Sequence, residues 1–486
     1  MERRLITLIT AFIILLGLGA PVYAITDQQS IAIQSLLDEA QRRSRAPGMA
    51  MAVLVDGETH FFFSGLANRA HEVPADEDTL WELASVSKAF TGLALLLLEE
   101  QGQLSLSDSI ADHLPWFTLR YQGQPVDMQG VRLYHLMHHT VGLTNGRHPN
   151  LILERTEPDT LQNTVEALID AELVFYPGTQ FAYGTVNYNV LGLVIESVTG
   201  QSYEAFMEEQ LFRPLGLADT YANRDHAEAT GRLAQGHVTT FIFATIERDS
   251  PEARGSVPTG YIITSARDMA RWMGIQLGIV EDIPEIFKTI IPRSHELGRS
   301  VAEADGTFYA AGWVVSEDHR IIEHGGGNPG FSTYVRLLSE EQIGITLLIN
   351  ASGVDVVGMI YSIEDIFDGN LHQAYPIISM DVLFTIFTAL GGLLAILFFL
   401  LGLRRMKRRQ HYPVTKKRLV LIALWFAITL ALCLVCFVPR IIPGMPFHNW
   451  TAIFMWVPYS ILTGMIALTA LSVSITWFVA FPRHTK

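Results

Sequence analysis

The chain has 486 residues, with 49 acidic against 34 basic side chains for a formal net charge of −15, and 49% of it is hydrophobic. The charge is unevenly placed: the tail from Asp381 carries +10 and the first 24 residues carry +1, so the segment between them carries −26. A body that acidic repels nucleic acid and other polyanions, which excludes them as partners.

Residues 1–24 read as a secretory signal, with Arg3 and Arg4 as its charged start, Leu5 to Leu18 as its apolar run and Val22-Tyr23-Ala24 as its cleavage site. Export of the body is therefore expected. The two cysteines, Cys433 and Cys436, both lie in the tail, so the body folds without disulfides. In an apolar helix that pair reads as lipid-facing filler rather than as a redox or metal site.

Ser30 to Arg43 has the spacing of an amphipathic helix, with Ile33, Leu36, Leu37 and Ala40 on one side. Met49 to Val55, the turn Asp56-Gly57-Glu58 and Thr59 to Ser64 read as a β-hairpin. An apolar helix follows from Val86, closed by Gly102. Residues 105–270 are helical and loop-rich, punctuated at Pro115, Pro149, Pro177-Gly178 and Pro214. Phe308 to Ser316, Ile321 to His324, Phe331 to Leu338 and Ile343 to Asn350 read as strands, with a helix from Asp355 to Phe367. Strands at both ends with helices between predict an α/β fold of the α+β kind. One antiparallel sheet, built from the two termini of a domain over 25–375 and flanked by helices, would carry an inserted helical subdomain.

The remainder, 376–486, reads as a membrane region with three spans near 382–403, 419–438 and 453–480. Arg404, Arg405, Lys407, Arg408 and Arg409, followed by Lys416, Lys417 and Arg418, mark the first intervening loop as cytoplasmic. The body would then lie outside the cytoplasm and the C-terminus inside, with the lipid bilayer as a partner.

Ser85 stands where the apolar helix begins and Lys88 follows one turn later on the same face. A hydroxyl is a poor nucleophile near neutral pH until a base takes its proton, and burial can make a lysine that base by disfavouring its ammonium form. Lys88 is the first lysine in the chain and Lys288 the next, so it is not one of a crowd of surface charges. Tyr183, with Thr185 and Asn187 after it, opens a second apolar helix and can present its hydroxyl to a cleft. Glu323-His324-Gly325-Gly326-Gly327 lies between two expected strands, where glycines mark either a turn or the close approach of another backbone. His135, His138 and His139 have helical spacing but no His-Glu-x-x-His pattern, so no metal is expected.

Together these segments resemble the serine β-lactamase and penicillin-binding family, in its branch of class C β-lactamases, D,D-peptidases, D-aminopeptidases and esterases. Ser85-Val86-Ser87-Lys88 resembles the first motif, Tyr183-Gly184-Thr185 the second (Tyr-x-Asn) and His324-Gly325-Gly326 the third (Lys-Thr-Gly or His-x-Gly). The resemblance implies a β-lactamase/transpeptidase-like fold and acyl transfer without metal or cofactor. Ser85 is the implied nucleophile, Lys88 and Tyr183 share its proton, and the N–H groups of Ser85 and Gly327 form an oxyanion hole. It further implies substrate contacts from Thr185, Gly325 and Gly326, with His324 holding Tyr183 and binding a substrate carboxylate. Thr185 departs from the family's asparagine, and Asn187 is a candidate to compensate. Two functions follow: a hydrolase of small D-amino-acid peptides, amides or esters, or a penicillin- or muropeptide-binding sensor with little turnover.

Overall fold

The computed structural model describes residues 25–145, 160–241, 244–248, 254–303, 305–371, 380–407, 416–437 and 459–480. The expected signal over 1–24 lies outside the described residues, as does part of the basic loop.

The expected antiparallel sheet is present, with eight strands. Helix α1 (Asp27–Ser44) is followed by β1 (Gly48–Val55), β2 (Glu58–Asn68) and the short β3 (Val73–Pro74). The chain then leaves the sheet for more than 200 residues. It returns through β4 (Phe308–Tyr309), β5 (Val314–Val315), β6 (Ile321–Asn328), β7 (Phe331–Leu338) and β8 (Ile343–Ile349). The spatial order is β4-β5-β6-β7-β8-β1-β2-β3, so β8 meets β1 with Met49 opposite Ile349. Asp56 and Gly57 both have positive φ, the conformation that a tight hairpin turn between β1 and β2 needs.

Strand β1 is buried along its whole length, because both faces of the sheet are covered. Met49, Met51, Val53 and Val55 pack beneath α1 and the final body helix (Val356–Phe367). Ala50, Ala52 and Leu54 face the larger core formed with the inserted helices. That larger core surrounds α2 (Ser87–Glu100), in which Ser87 to Leu98 are all buried. The expected strand over Phe308–Ser316 is broken in two. At Gly312, with φ of +86°, a side chain would collide with the backbone of Lys88 and Ala89.

Among the described residues two helices of the tail are long and apolar enough to cross a membrane, over Val382–Arg404 and Tyr459–Val479, rather than the expected three. The stretch expected to span 419–438 is helical from Lys416 to Phe437, but its described apolar part, Leu419–Ala431, is too short to qualify. The two long helices pack through small residues, with Gly391 beside Ala467 and Gly464 beside Phe384. Ser460 N–H donates to Thr240 Oγ1 of the body at 3.2 Å.

Strand β6 passes against the turn that carries Ser85. A side chain on Gly326 would come within 2.5 Å of the Leu83 carbonyl, whereas nothing lies within 4 Å of one on Gly327. Gly326→Ala should therefore cost about 1–3 kcal/mol of stability, and Gly327→Ala within about 0.5 kcal/mol of none. Thermal unfolding of the two variants checks this. Equal effects would contradict the close approach.

Candidate active site

From Thr79 to Leu98 every residue is buried except Ser85. Ser85 sits in a short 3₁₀ turn, Ala84–Val86, just before α2, and Ala84 holds φ at +48°. A positive φ at a residue with a side chain is strained and persists only where its surroundings fix it. Here Thr333 Oγ1 of β7 donates to the Leu83 carbonyl at 2.7 Å, and Leu83 N–H donates to the Ile262 carbonyl at 2.8 Å.

Lys88 is fully buried, and its Nζ bonds to Ser85 Oγ at 3.0 Å and to the Thr259 carbonyl at 2.6 Å. Among the described residues no carboxylate pairs with it. Burial alone holds its pKa well below the ordinary lysine value of 10.5, which favours the neutral amine. Tyr183 OH also donates to Ser85 Oγ, at 3.1 Å. Burial pushes the Tyr183 phenol up to about 12, opposed by its hydrogen bonds to Ser85, Thr185 and Tyr309. The two shifts favour an unprotonated Lys88 amine and a protonated Tyr183 phenol.

Strand β5 pairs with β6 only as far as Glu323. His324, Gly325, Gly326 and Gly327 therefore form an edge free of any further strand neighbour among the described residues. Thus the glycines mark a close approach to the serine turn, not a hairpin turn. Asn328 ends this edge, its Nδ2 donating to the buried Glu82 carboxylate and to the Gly260 carbonyl, each at 2.7 Å.

His324 is placed differently from the expectation. Its Nε2 meets Tyr309 OH at 2.9 Å, not Tyr183, and its Nδ1 lies 2.7 Å from the Gly325 carbonyl. A nitrogen facing a carbonyl must carry the proton, so Nδ1 donates and Nε2 accepts from Tyr309. Burial, then the Lys88 charge, pushes its pKa down to about 3. Both His324 ring nitrogens are thus engaged within the protein.

Asn187 is also placed behind the cleft rather than in it. It is fully buried, with Nδ2 2.8 Å from His139 Nδ1. Thr185 is half-buried, its N–H donating to Asn145 Oδ1 at 2.7 Å and its carbonyl accepting from Thr259 Oγ1. His139, whose ring centre lies 4.4 Å from that of Tyr183 and 4.3 Å from that of Tyr309, is the hub behind the site. The sequence flagged it only as one of three helically spaced histidines. Tyr309, Asn145 and Thr259 carried no local signal, since each reaches the site from a distant segment.

A partly exposed serine between a neutral buried amine and a protonated phenol, on the open edge of an antiparallel sheet, defines a site built for nucleophilic acyl transfer. The sequence profile of the Beta-lactamase family matches residues 33–366, and the chain belongs to that family. It is 26% identical over 483 residues to Protein flp of Staphylococcus aureus strain N315, covering 95% of this chain and 92% of that protein. That match takes in the tail as well as the body. Penicillin-binding protein 4 of Amycolatopsis lactamdurans is 26% identical over 330 residues, covering 65% of this chain and 84% of that one. Among solved structures, the octameric penicillin-binding protein homologue from Pyrococcus abyssi superposes with a TM-score of 0.63 at 22% identity, over 75% of this chain and 82% of its own. The D-alanine carboxypeptidase AmpC from Burkholderia cenocepacia superposes at 0.58 and 23% identity, over 70% and 99%.

Because burial lowers the Lys88 pKa in the folded state, folding strips a proton from it at any pH between that lowered value and 10.5. This penalty is fully present below the lowered folded pKa and vanishes as pH rises through 10.5. Lys88→Met should therefore raise the thermal midpoint by at least about 2 °C at pH 7, with a gain that shrinks toward pH 10.5, while abolishing acylation of Ser85. Calorimetry across pH, with covalent labelling in parallel, checks both. A destabilised variant would contradict the neutral amine.

Proposed function

We propose that the protein is a membrane-anchored, extracytoplasmic serine hydrolase that works through an acyl-enzyme on D-amino-acid peptides, amides or esters. The observation that carries this reading is the placement of Ser85 Oγ between Lys88 Nζ at 3.0 Å and Tyr183 OH at 3.1 Å. Ser85 Oγ attacks the carbonyl carbon and its proton passes to the neutral Lys88 amine. The resulting alkoxide-like oxygen of the substrate is held by the N–H groups of Ser85 and Gly327, where the charge develops. The leaving amine or alcohol takes its proton from Lys88 through Tyr183. Water then attacks the acyl group by the reverse path, returning Ser85. The names of the relatives, a penicillin-binding protein and a D-alanine carboxypeptidase, support the substrate class.

The tail supports anchoring. Phe384 lies beside Gly464, Ala467 beside Gly391 and Trp477 beside Gly402, so the helices Met380–Lys407 and Tyr459–Ala480 run parallel to each other. If both cross a membrane in one direction, the chain must return between them. The basic residues from Arg404 to Arg418 then lie on the cytoplasmic side and the body outside. Together with the signal over 1–24, this supports a site outside the cytoplasm, where cell-wall peptides are.

Ser85→Ala should abolish labelling by a fluorophosphonate or penicillin probe while the fold persists, as read by intact-protein mass spectrometry. An adduct on another residue would overturn the assignment. A second expectation concerns Thr185, where a missing amide contact is worth about 0.5–1.5 kcal/mol. Thr185→Asn should raise kcat/KM for an amide relative to its matched ester by roughly threefold to tenfold. An unchanged ratio would show that Thr185 does not stand in the asparagine's role.

A further inference from the structure

The turn that closes the open edge of β6 is linked to the tail by a short chain of contacts. Pro329-Gly330 joins β6 to β7 as a two-residue turn, since Asn328 pairs with Phe331. Gly327, whose N–H is assigned to the oxyanion hole, stands three residues before Gly330. The Gly330 carbonyl accepts from His237 N–H at 3.2 Å. Gly330 holds φ at +97°, and a side chain on it would come within 2.9 Å of Gly236 Cα. The two backbones are in contact, with no side chain between them to absorb a shift.

His237 opens a hairpin of two short strands, His237–Thr240 and Ala244–Glu247. A hairpin of that size is marginally stable alone, so the groups resting on it set its position. Thr239 and Thr245 donate from their hydroxyls to the Ser44 and Arg45 carbonyls at 3.3 and 2.6 Å. The tail helix Tyr459–Ala480 supplies further contacts. Ser460 N–H donates to Thr240 Oγ1 at 3.2 Å, and both residues are fully buried. Arg248 Nη2 donates to Tyr459 OH at 2.9 Å, with the guanidinium 5.5 Å from the centre of that ring. The N–H of the same Arg248 donates to the Gly236 carbonyl at 2.8 Å. Two residues, Arg248 and Gly236, thus span the distance from the tail helix to the turn at Gly330.

We propose that Tyr459 of the tail helix and Thr240 of the hairpin are positioning residues for acyl transfer, acting through Gly236 and Gly330 on the strand that carries Gly327. Docking of the tail on the hairpin and acylation of Ser85 are then coupled, and each favours the other. The membrane helix is part of the acylating apparatus as well as its anchor. This rests on the serine-hydrolase reading of Ser85 and on the oxyanion role of Gly327.

The test uses the full chain in phospholipid vesicles and a neutral fluorophosphonate as the probe of Ser85. Tyr459→Phe and Thr240→Val should each lower the limiting rate of labelling by about threefold to tenfold, the effect of one lost hydrogen bond. The probe concentration giving half that rate should stay within about twofold. Thr240→Ser, which keeps the accepting hydroxyl, should label within about twofold of the wild type. In the wild type, labelling of Ser85 should in turn slow hydrogen exchange over residues 237–240 by about threefold or more. A merely structural role would lower the thermal midpoint and leave that exchange indifferent to labelling. Should Thr240→Val fail to fold, Tyr459→Phe decides, since it removes a single hydroxyl. Unchanged limiting rates, a Thr240→Ser variant that is slow, or exchange indifferent to labelling overturns the proposal. Failure of the probe to label wild-type Ser85 at all refutes the hydrolase reading itself, and with it this one.

Discussion

Lys88 lies in the larger apolar core with its amine bonded to a serine hydroxyl and a carbonyl, and among the described residues to no carboxylate. An ammonium in that position would be unpaired and desolvated, so the fold stabilises the neutral amine. The same desolvation fixes the other protonation states around it. Burial first, and any charge on Lys88 second, hold His324 and His139 in their neutral forms. Tyr183, deprived of water, keeps its proton. A serine hydroxyl, an amine and a phenol then stand together with burial favouring the uncharged form of the amine and of the phenol.

The architecture serves this arrangement by bringing the two ends of the body into one sheet. Strand β1 joins β8, and the long excursion between β3 and β4 supplies the helices that bury Lys88 from the other side. The serine turn is held by contacts from three separate segments: Thr333 on Leu83, Ile262 on Leu83, and Gly326 against Leu83 and Ala84. Strain at Ala84 is therefore over-determined, which allows Ser85 to stand out of a stretch that is otherwise buried throughout.

Much of this was legible in the sequence wherever the signal was local. The spacing of Ser85 and Lys88, the strand over Phe331–Leu338 and the turn at Asp56-Gly57 all depend on neighbours in the chain, and all stand as read. What escaped depends on closure of the fold. The strand expected over Phe308–Ser316 breaks because α2 passes beside Gly312. Asn187 is four residues from Tyr183 but points into the core toward His139, a residue 48 positions away. His324 turns to Tyr309. No local pattern announces such partners, since each is chosen by the packing of the inserted helices on the sheet.

The ionisation of Lys88 is the most direct measurement of whether the site rests on a neutral base. The chain has six lysines, of which only Lys88 and Lys288 lie in the body, so isotope labelling of lysine side chains with Lys88→Met as the assignment control gives a resolvable NMR titration. Lys88 should titrate well below 10.5. A Lys88 signal that titrates at or above 10.5 would mean a charged lysine beside Ser85, and would contradict the neutral base on which the site depends.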